Sequence, residues 1–435
     1  MLNRNCIWRG LFCAAACVSP SAFSMSIDVE IGAGAGYSDN FTRASEGEQD
    51  STLASLGTRL SLLHSTRRLE ANVLGDLALT HYSGNEYSSE LTGNAAARLD
   101  IGLIDNRLRW QVEDTFGQTR LDLFAVPSPE NLEHVNYLST GPDLRFGLGS
   151  ATSLLLGIRY ARVDYQESPA DSQRASAWMA AERELSTAAR LSMVVSAERI
   201  EPSEAAAIAD YRREAAHLRY GHTGARTTLS LGAGGNRVQG GGFDETGAML
   251  AIELVRALST RSRLSLKAGR ELTDSGSQLQ PGSVEQVASP TAGSSALTQA
   301  PEPYTHTYVD AGWAVEGRRT ALELSGGWSS EEYDGVLPDR SRHTGRFSAR
   351  RRVGQRTEVA ATVTFNAYQF DGAGVDNEEL LYNLSISHDL GRRIRLELAG
   401  DRAEYSSDGP AGEVQEMRYW LRIYYRQHLG RDAPR

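Results

Sequence analysis

Hydrophobic and polar residues alternate along most of this chain. In residues 89–103, Leu91, Gly93, Ala95, Ala97, Leu99, Ile101 and Leu103 share one face, while Glu90, Thr92, Asn94, Arg98 and Asp100 share the other. Residues 69–81 repeat the pattern, with Leu69, Ala71, Val73, Leu77 and Leu79 set against Glu70, Asn72 and Asp76. So do residues 379–390, with Leu380, Tyr382, Leu384 and Ile386 against Asn383, Ser385 and Asp389. A period of two belongs to an extended strand, whose successive side chains point to opposite faces. Beyond the first residues, no stretch approaches the roughly 18 apolar residues of a membrane helix. A membrane strand needs only about 9–11 residues, apolar at alternate positions.

Two kinds of connection separate the strands. Tight ones read HSTRR, IDNR, GSAT, LSTRS, EGRR, VGQR and LGRR, beginning near 64, 104, 149, 258, 316, 353 and 390, with two more near 186 and 222. Long polar ones lie near 38–51, 83–88, 117–134, 166–172, 200–209, 236–245, 273–303, 329–341, 371–378 and 404–413. Short turn followed by long loop is the hairpin rhythm of a membrane barrel. The fold expected is all-β: a transmembrane antiparallel up-and-down barrel of about twenty strands, with 18 or 22 as alternatives and both termini periplasmic. A soluble sandwich would bury bulky residues on the alternate face, and here that face is rich in Ala and Gly. Aromatics at strand–loop junctions (Tyr37, Tyr82, Phe116, Tyr165, Tyr333, Phe370 and Tyr405) suggest an interfacial girdle, with Trp110, Phe146 and Tyr220 near the tight turns.

The N-terminus adds a compartment. Arg4 and Arg9 precede an apolar run from Gly10 to Val18, and Ala22-Phe23-Ser24 supplies small residues, so residues 1–24 read as a secretory signal peptide. Residues 25–427 are then the barrel and 428–435 a short periplasmic tail, with no stretch left over for a plug or passenger domain. Cys6, Cys13 and Cys17 all lie in the leader, which leaves no disulfide or thiolate site in the remainder. The formal charge of −10 argues against a nucleic-acid partner. Outer-membrane lipid, lipopolysaccharide and the barrel-insertion machinery are the partners that an outer-membrane barrel implies.

Projecting the polar faces inward gives a lumen lined by Arg98, Asp100, Arg109, Glu113, Arg145, Arg159, Lys267, Arg395, Glu397, Arg418, Trp420 and Arg422. Charges of both signs predict no strong selectivity. IGAGAGYSDNF (31–41) resembles a phosphate loop, but the helix such a loop requires is missing after its glycines. It reads instead as the first strand, paired with the last. Gly32, Gly34 and Gly36 then give room to Arg418 and Trp420, and Asp28 and Glu30 come level with Arg422 and Arg426 across the closing seam.

No catalytic, cofactor or metal site is expected, and no enzyme activity. The nine histidines are scattered and form no HExxH motif. A Ser-His-Asp set assembled across strands is the remaining route to a barrel-embedded hydrolase. DGAGVDNEE (371–379) reads as a solvated acidic loop or a divalent-cation site. The Ser-, Gly- and Pro-rich stretch 273–303 reads as a surface loop or an inward-folded constriction.

GYSDNF (36–41), EDTFGQ (113–118), PSPEN (127–131), STGPDLRFGLG (139–149) and GIRYARVDYQ (157–166) together resemble the outer-membrane β-barrel porins associated with surface-polysaccharide and exosortase systems (β-barrel porin 2-like). That resemblance covers the first 170 residues or so. It implies an outer-membrane channel serving exopolysaccharide export or secretion, with polysaccharide-export components as partners and no catalytic residues. A non-conducting structural or adhesive surface barrel is the alternative. The C-terminus departs from the usual barrel ending: Tyr419, Leu421, Ile423 and Tyr425 alternate, but a polar tail follows them.

Overall fold

A computed structural model describes residues 24–83, 89–122, 124–204, 208–279, 302–335, 337–372, 375–409 and 412–430. The first hairpins are built from β1 (Ser24–Ser38), β2 (Ser51–Ser65), β3 (Leu69–Tyr82), β4 (Glu90–Ile104), β5 (Leu108–Arg120), β6 (Leu132–Gly147) and β7 (Thr152–Tyr165). Next come β8 (Ser172–Glu184), β9 (Ala189–Pro202), β10 (Tyr211–Thr223), β11 (Thr227–Gly240), β12 (Phe243–Ser259) and β13 (Ser262–Thr273). A single helical turn, α1 (Ser275–Gln278), precedes β14 (Tyr304–Glu316), β15 (Thr320–Glu332), β16 (Arg340–Arg352) and β17 (Thr357–Phe370). The chain finishes with β18 (Val375–Asp389), β19 (Ile394–Ser407) and β20 (Glu413–Gly430).

Each strand pairs antiparallel with its neighbours in sequence, and β1 also pairs with β20, so the 20-stranded sheet closes on itself. Closure leaves no unpaired edge, the condition for a sheet to exist in lipid. One face of the sheet is apolar and exposed, with Ile31, Leu56, Ile158, Leu250, Leu324, Leu384, Leu398 and Leu421 all on it. The other face is the interior, because its side chains meet across strands that are not neighbours: Arg120 on β5 pairs with Glu379 on β18 at 3.1 Å. An apolar exterior around a polar interior would be intolerable in water. The chain is a membrane-spanning barrel of the outer-membrane type.

All nine tight turns expected from the sequence join strands at one end, termed here the turn end; the other is the loop end. Three expected loops are shorter than their polarity suggested. β11 and β12 are joined by Gly241 and Gly242 alone, both at positive φ, so most of 236–245 is strand. β18 takes up most of the acidic stretch 371–379, with Asp376 and Glu378 on the outer face and Glu379 on the inner. β19 and β20 likewise absorb much of 404–413. Polarity misled at each place because the loop-end portions of these strands face a polar interior. The last strand runs to Gly430, past the expected boundary at 427, and the leader lies outside the described residues apart from Ser24.

At the seam, Glu30 stands opposite Arg426 and forms an ion pair with it. Asp28, however, faces His428 (2.6 Å) and not Arg422, which lies opposite Gly34. Trp420 lies opposite Gly36 and Tyr424 opposite Gly32, while Arg418 is level with Ser38. The register follows from the longer β20, whose added residues pair with the start of β1.

Candidate functional site

The two halves of the interior differ in wetness. Toward the turn end, ion pairs such as Arg59–Asp76 (2.7 Å) and Arg219–Glu253 (3.8 Å) are open to water, with the Arg59 side chain 62% exposed. Toward the loop end the charges are buried, with the Arg174 side chain 1% exposed. This contrast defines a hydrated vestibule below a stopper.

Two inward-folded segments make the stopper. After β13 the chain turns into the barrel at Asp274, whose carboxylate caps α1 by accepting from the Ser277 amide at 3.0 Å. Asp274 also pairs with Arg174 of β8 and lies 3.5 Å from Arg213 of β10, and Glu198 of β9 completes the cluster 3.7 Å from Arg174. Leu279 beyond the helix packs among Val135, Tyr137, Val163 and Tyr165 of β6 and β7. This segment therefore spans the interior from β13 to β6. Burial pushes the Asp274 carboxyl up, but the Arg174 and Arg213 guanidiniums outweigh that and hold it well below the ordinary aspartate range.

The second segment follows β5. Phe124 meets Phe370 of β17 with ring centroids 4.7 Å apart, and its carbonyl accepts from the Tyr405 hydroxyl of β19 at 3.5 Å. The Pro127 carbonyl accepts from Arg43, which also pairs with Glu416 of β20 at 2.8 Å. Phe41, from the same connection as Arg43, stacks on Tyr82 at 5.6 Å. Arg340 and Glu331 form a further buried pair on the wall between the two segments.

The register puts all twelve expected lining residues on the inner face. Arg98 joins Asp100 (2.8 Å) and Glu113 (3.2 Å), Arg159 pairs with Asp143 (2.7 Å), and Arg109 lies 3.9 Å from Glu70. Arg395 pairs with Asp389 (2.9 Å), Glu397 with Arg422 (3.2 Å) and Arg418 with Glu416 (3.3 Å). Lys267 lies over the Tyr308 ring and Arg422 over Trp420, at 5.4 and 4.5 Å. Arg145 is exposed near the turn end.

The chain matches no family model and no curated protein sequence. Among solved structures it is similar to the siderophore receptor PirA from Pseudomonas aeruginosa at 8% identity and TM-score 0.45, covering 94% of this chain and 81% of that one. A variant of the ferric enterobactin receptor PfeA from the same organism gives 9% identity and TM-score 0.46, with 93% and 81% covered. OccAB4 from Acinetobacter baumannii gives 10% and 0.35, with 93% and 98% covered. Likeness this remote assigns no ligand.

Of the two readings left open for 273–303, the described residues Asp274–Leu279 take the inward-folded one. Sequence reasoning missed the second segment, after β5, and the partners of both. Tyr82, Tyr165, Phe370 and Tyr405, expected in a lipid girdle, are buried on the inner face as parts of the stopper. Parity was the available signal: Tyr165 is an even number of residues from Arg159, so both side chains point inward. The acidic stretch near 371–379 belongs to the stopper through Glu379, and among the described residues no group of three or more acids or histidines is placed to hold a metal ion.

Proposed function

We propose that this protein is an outer-membrane channel closed in its resting state by its own inward-folded segments, with the turn end and both termini in the periplasm. The observation that carries the proposal is the contrast between halves: water-exposed charges of both signs line the vestibule, and buried ion pairs close it. A barrel of this strand number is wide enough for an aqueous path, as barrels of about 16–18 strands already are. The twelve lining residues form the wall along which solute passes. An exopolysaccharide or another secreted glycan is the solute suggested by the motifs in the first 170 residues, and polysaccharide-export components would deliver it.

Conductance in planar bilayers tests this reading. The wild-type barrel is expected to be nearly silent, and Arg174→Ala or deletion of 275–301 to produce long-lived openings. The density of buried pairs in the stopper favours a second reading, a permanently closed structural or adhesive barrel. Silence in both variants, with folding confirmed by heat-shifted migration on gels, would establish that second reading and end the first.

A further inference from the structure

The nine tight hairpins share a detail in their backbone. The residue just before each second strand gives its carbonyl to an amide of the strand after it, as in Arg107 to Arg145, Arg261 to Glu316 and Arg393 to Arg426, at 2.7, 2.8 and 2.7 Å. The ladder thus continues through this position, and strand parity assigns its side chain to the inner face, with Arg393 departing from it to donate to the outward Tyr425 hydroxyl at 3.2 Å. Seven of the nine positions are arginine and the other two, Ala151 and Ala188, are alanine. Lysine and arginine together make up only 45 of 435 residues, so chance placement does not produce this repeat. The turns as a whole contain ten arginines and one acid, whereas the loop-end connections contain eighteen acids and one arginine, Arg43.

We infer that the turn-end mouth is a binding ring for a linear acidic polysaccharide, which it draws into the vestibule proposed above. Adjacent ring positions lie two strands apart, about 10 Å along the rim. That spacing is close to the Debye length of about 8 Å at physiological salt, so neighbouring fields overlap. Arg107, Arg226, Arg261, Arg319 and Arg356 are exposed and have no carboxylate within ion-pair distance among the described residues. Planar guanidiniums engage carboxylates by paired hydrogen bonds.

A cavity of about 460 Å³ at the seam contains the Arg393 member of the ring. Its wall adds Arg392 and Arg426, but also Asp28, Glu30 and Gln427. Polyphosphate offers only acceptors and so has no donor for those two acids, which already hold Arg426, Arg59 and His428. An acidic sugar offers carboxylates to the arginines and hydroxyls that donate to Asp28 and Glu30. Lipid phosphate is disfavoured by the inward parity of the ring.

Equilibrium binding of fluorescein-labelled oligogalacturonate to the detergent-solubilised barrel tests the inference without requiring conduction. Binding is expected at about 0.15 M salt and to be lost near 1 M, where the Debye length falls to about 3 Å. The combined Arg107→Gln, Arg226→Gln and Arg261→Gln variant should bind at least tenfold more weakly. Arg183, Arg256 and Arg351 supply the control: they are exposed near the same rim on the outward parity. Replacing those three with Gln removes the same charge and should leave binding unchanged. Equal losses in both variants, or equal binding of polyphosphate, would overturn the inference. A barrel that binds the saccharide but never conducts would overturn the channel and leave the ring standing.

Discussion

A methyl group placed on Gly36 would come within 2.6 Å of the Trp420 ring and 2.7 Å of the Tyr419 carbonyl oxygen. The ring could tilt, but the carbonyl belongs to the β1–β20 ladder and cannot yield without straining the closing pair. Gly34 differs, since two of its three near neighbours are the Arg422 Cγ and the Ser55 hydroxyl, at 2.8 and 2.9 Å, both on side chains that can move. Gly36→Val should therefore cost about 1–3 kcal/mol, the usual range for overpacking, and Gly34→Ala less. Urea titration of the folded barrel, read by tryptophan fluorescence, checks the order of the two. Strand parity had already assigned these glycines to clearance at the seam. It could not supply the register, which depends on how far β20 extends beyond its last apolar residue.

At the scale of an element, the stopper segment is held mainly by charge. Asp274 and Arg174 are both buried, and removing one partner from such a pair costs about 3–5 kcal/mol because the other is left uncompensated. Asp274→Asn should release the Ser275–Leu279 segment at neutral pH, seen as faster hydrogen exchange at its amides. The pH dependence has a definite sign. A carboxyl held below its ordinary value contributes stability that is complete above the unfolded value of about 3.9 and is lost as pH falls through the lower folded value. Exchange in the segment should thus stay slow at neutral and mildly acidic pH and accelerate only below the ordinary aspartate range; acceleration near pH 6 would contradict the charge-held docking. Strands make the opposite kind of prediction. Leu421 lies mid-strand on the outer face, opposite Ala35 and Leu398, so Leu421→Arg should destabilise the barrel in lipid by about 2–4 kcal/mol. Strands were readable because alternation is local to a few residues. The stopper was legible only as one of two options for 273–303, and its partners were not, because Arg120 and Glu379 stand 259 positions apart and Arg174 and Asp274 stand 100 apart, with no local pattern linking them.

Across the whole molecule, the charge of the connections is polarised. The net charge of −10 conceals a turn end whose charged connection residues are almost all arginine and a loop end whose charged connection residues are almost all acidic. Fixed charges of opposite sign at the two mouths of one pore raise the local concentration of anions at one and of cations at the other. Current through such a pore should depend on the direction of the applied voltage, because one polarity fills the lumen from both enriched mouths and the other depletes it. The barrel opened by deleting 275–301 should therefore rectify in symmetric dilute potassium chloride. Rectification should fade toward about 1 M salt, where screening within about 3 Å uncouples the mouths from the permeating ions. Replacing the inward arginines at 107, 226 and 261 with Gln should weaken it, since one pole of the arrangement shrinks. A linear current–voltage relation at low salt would mean that the pore senses its ion-paired wall more than its mouths. The ring would then act in binding alone, and the vestibule wall, where Arg98, Arg159 and Arg422 are each matched by an acid, would set the ion preference.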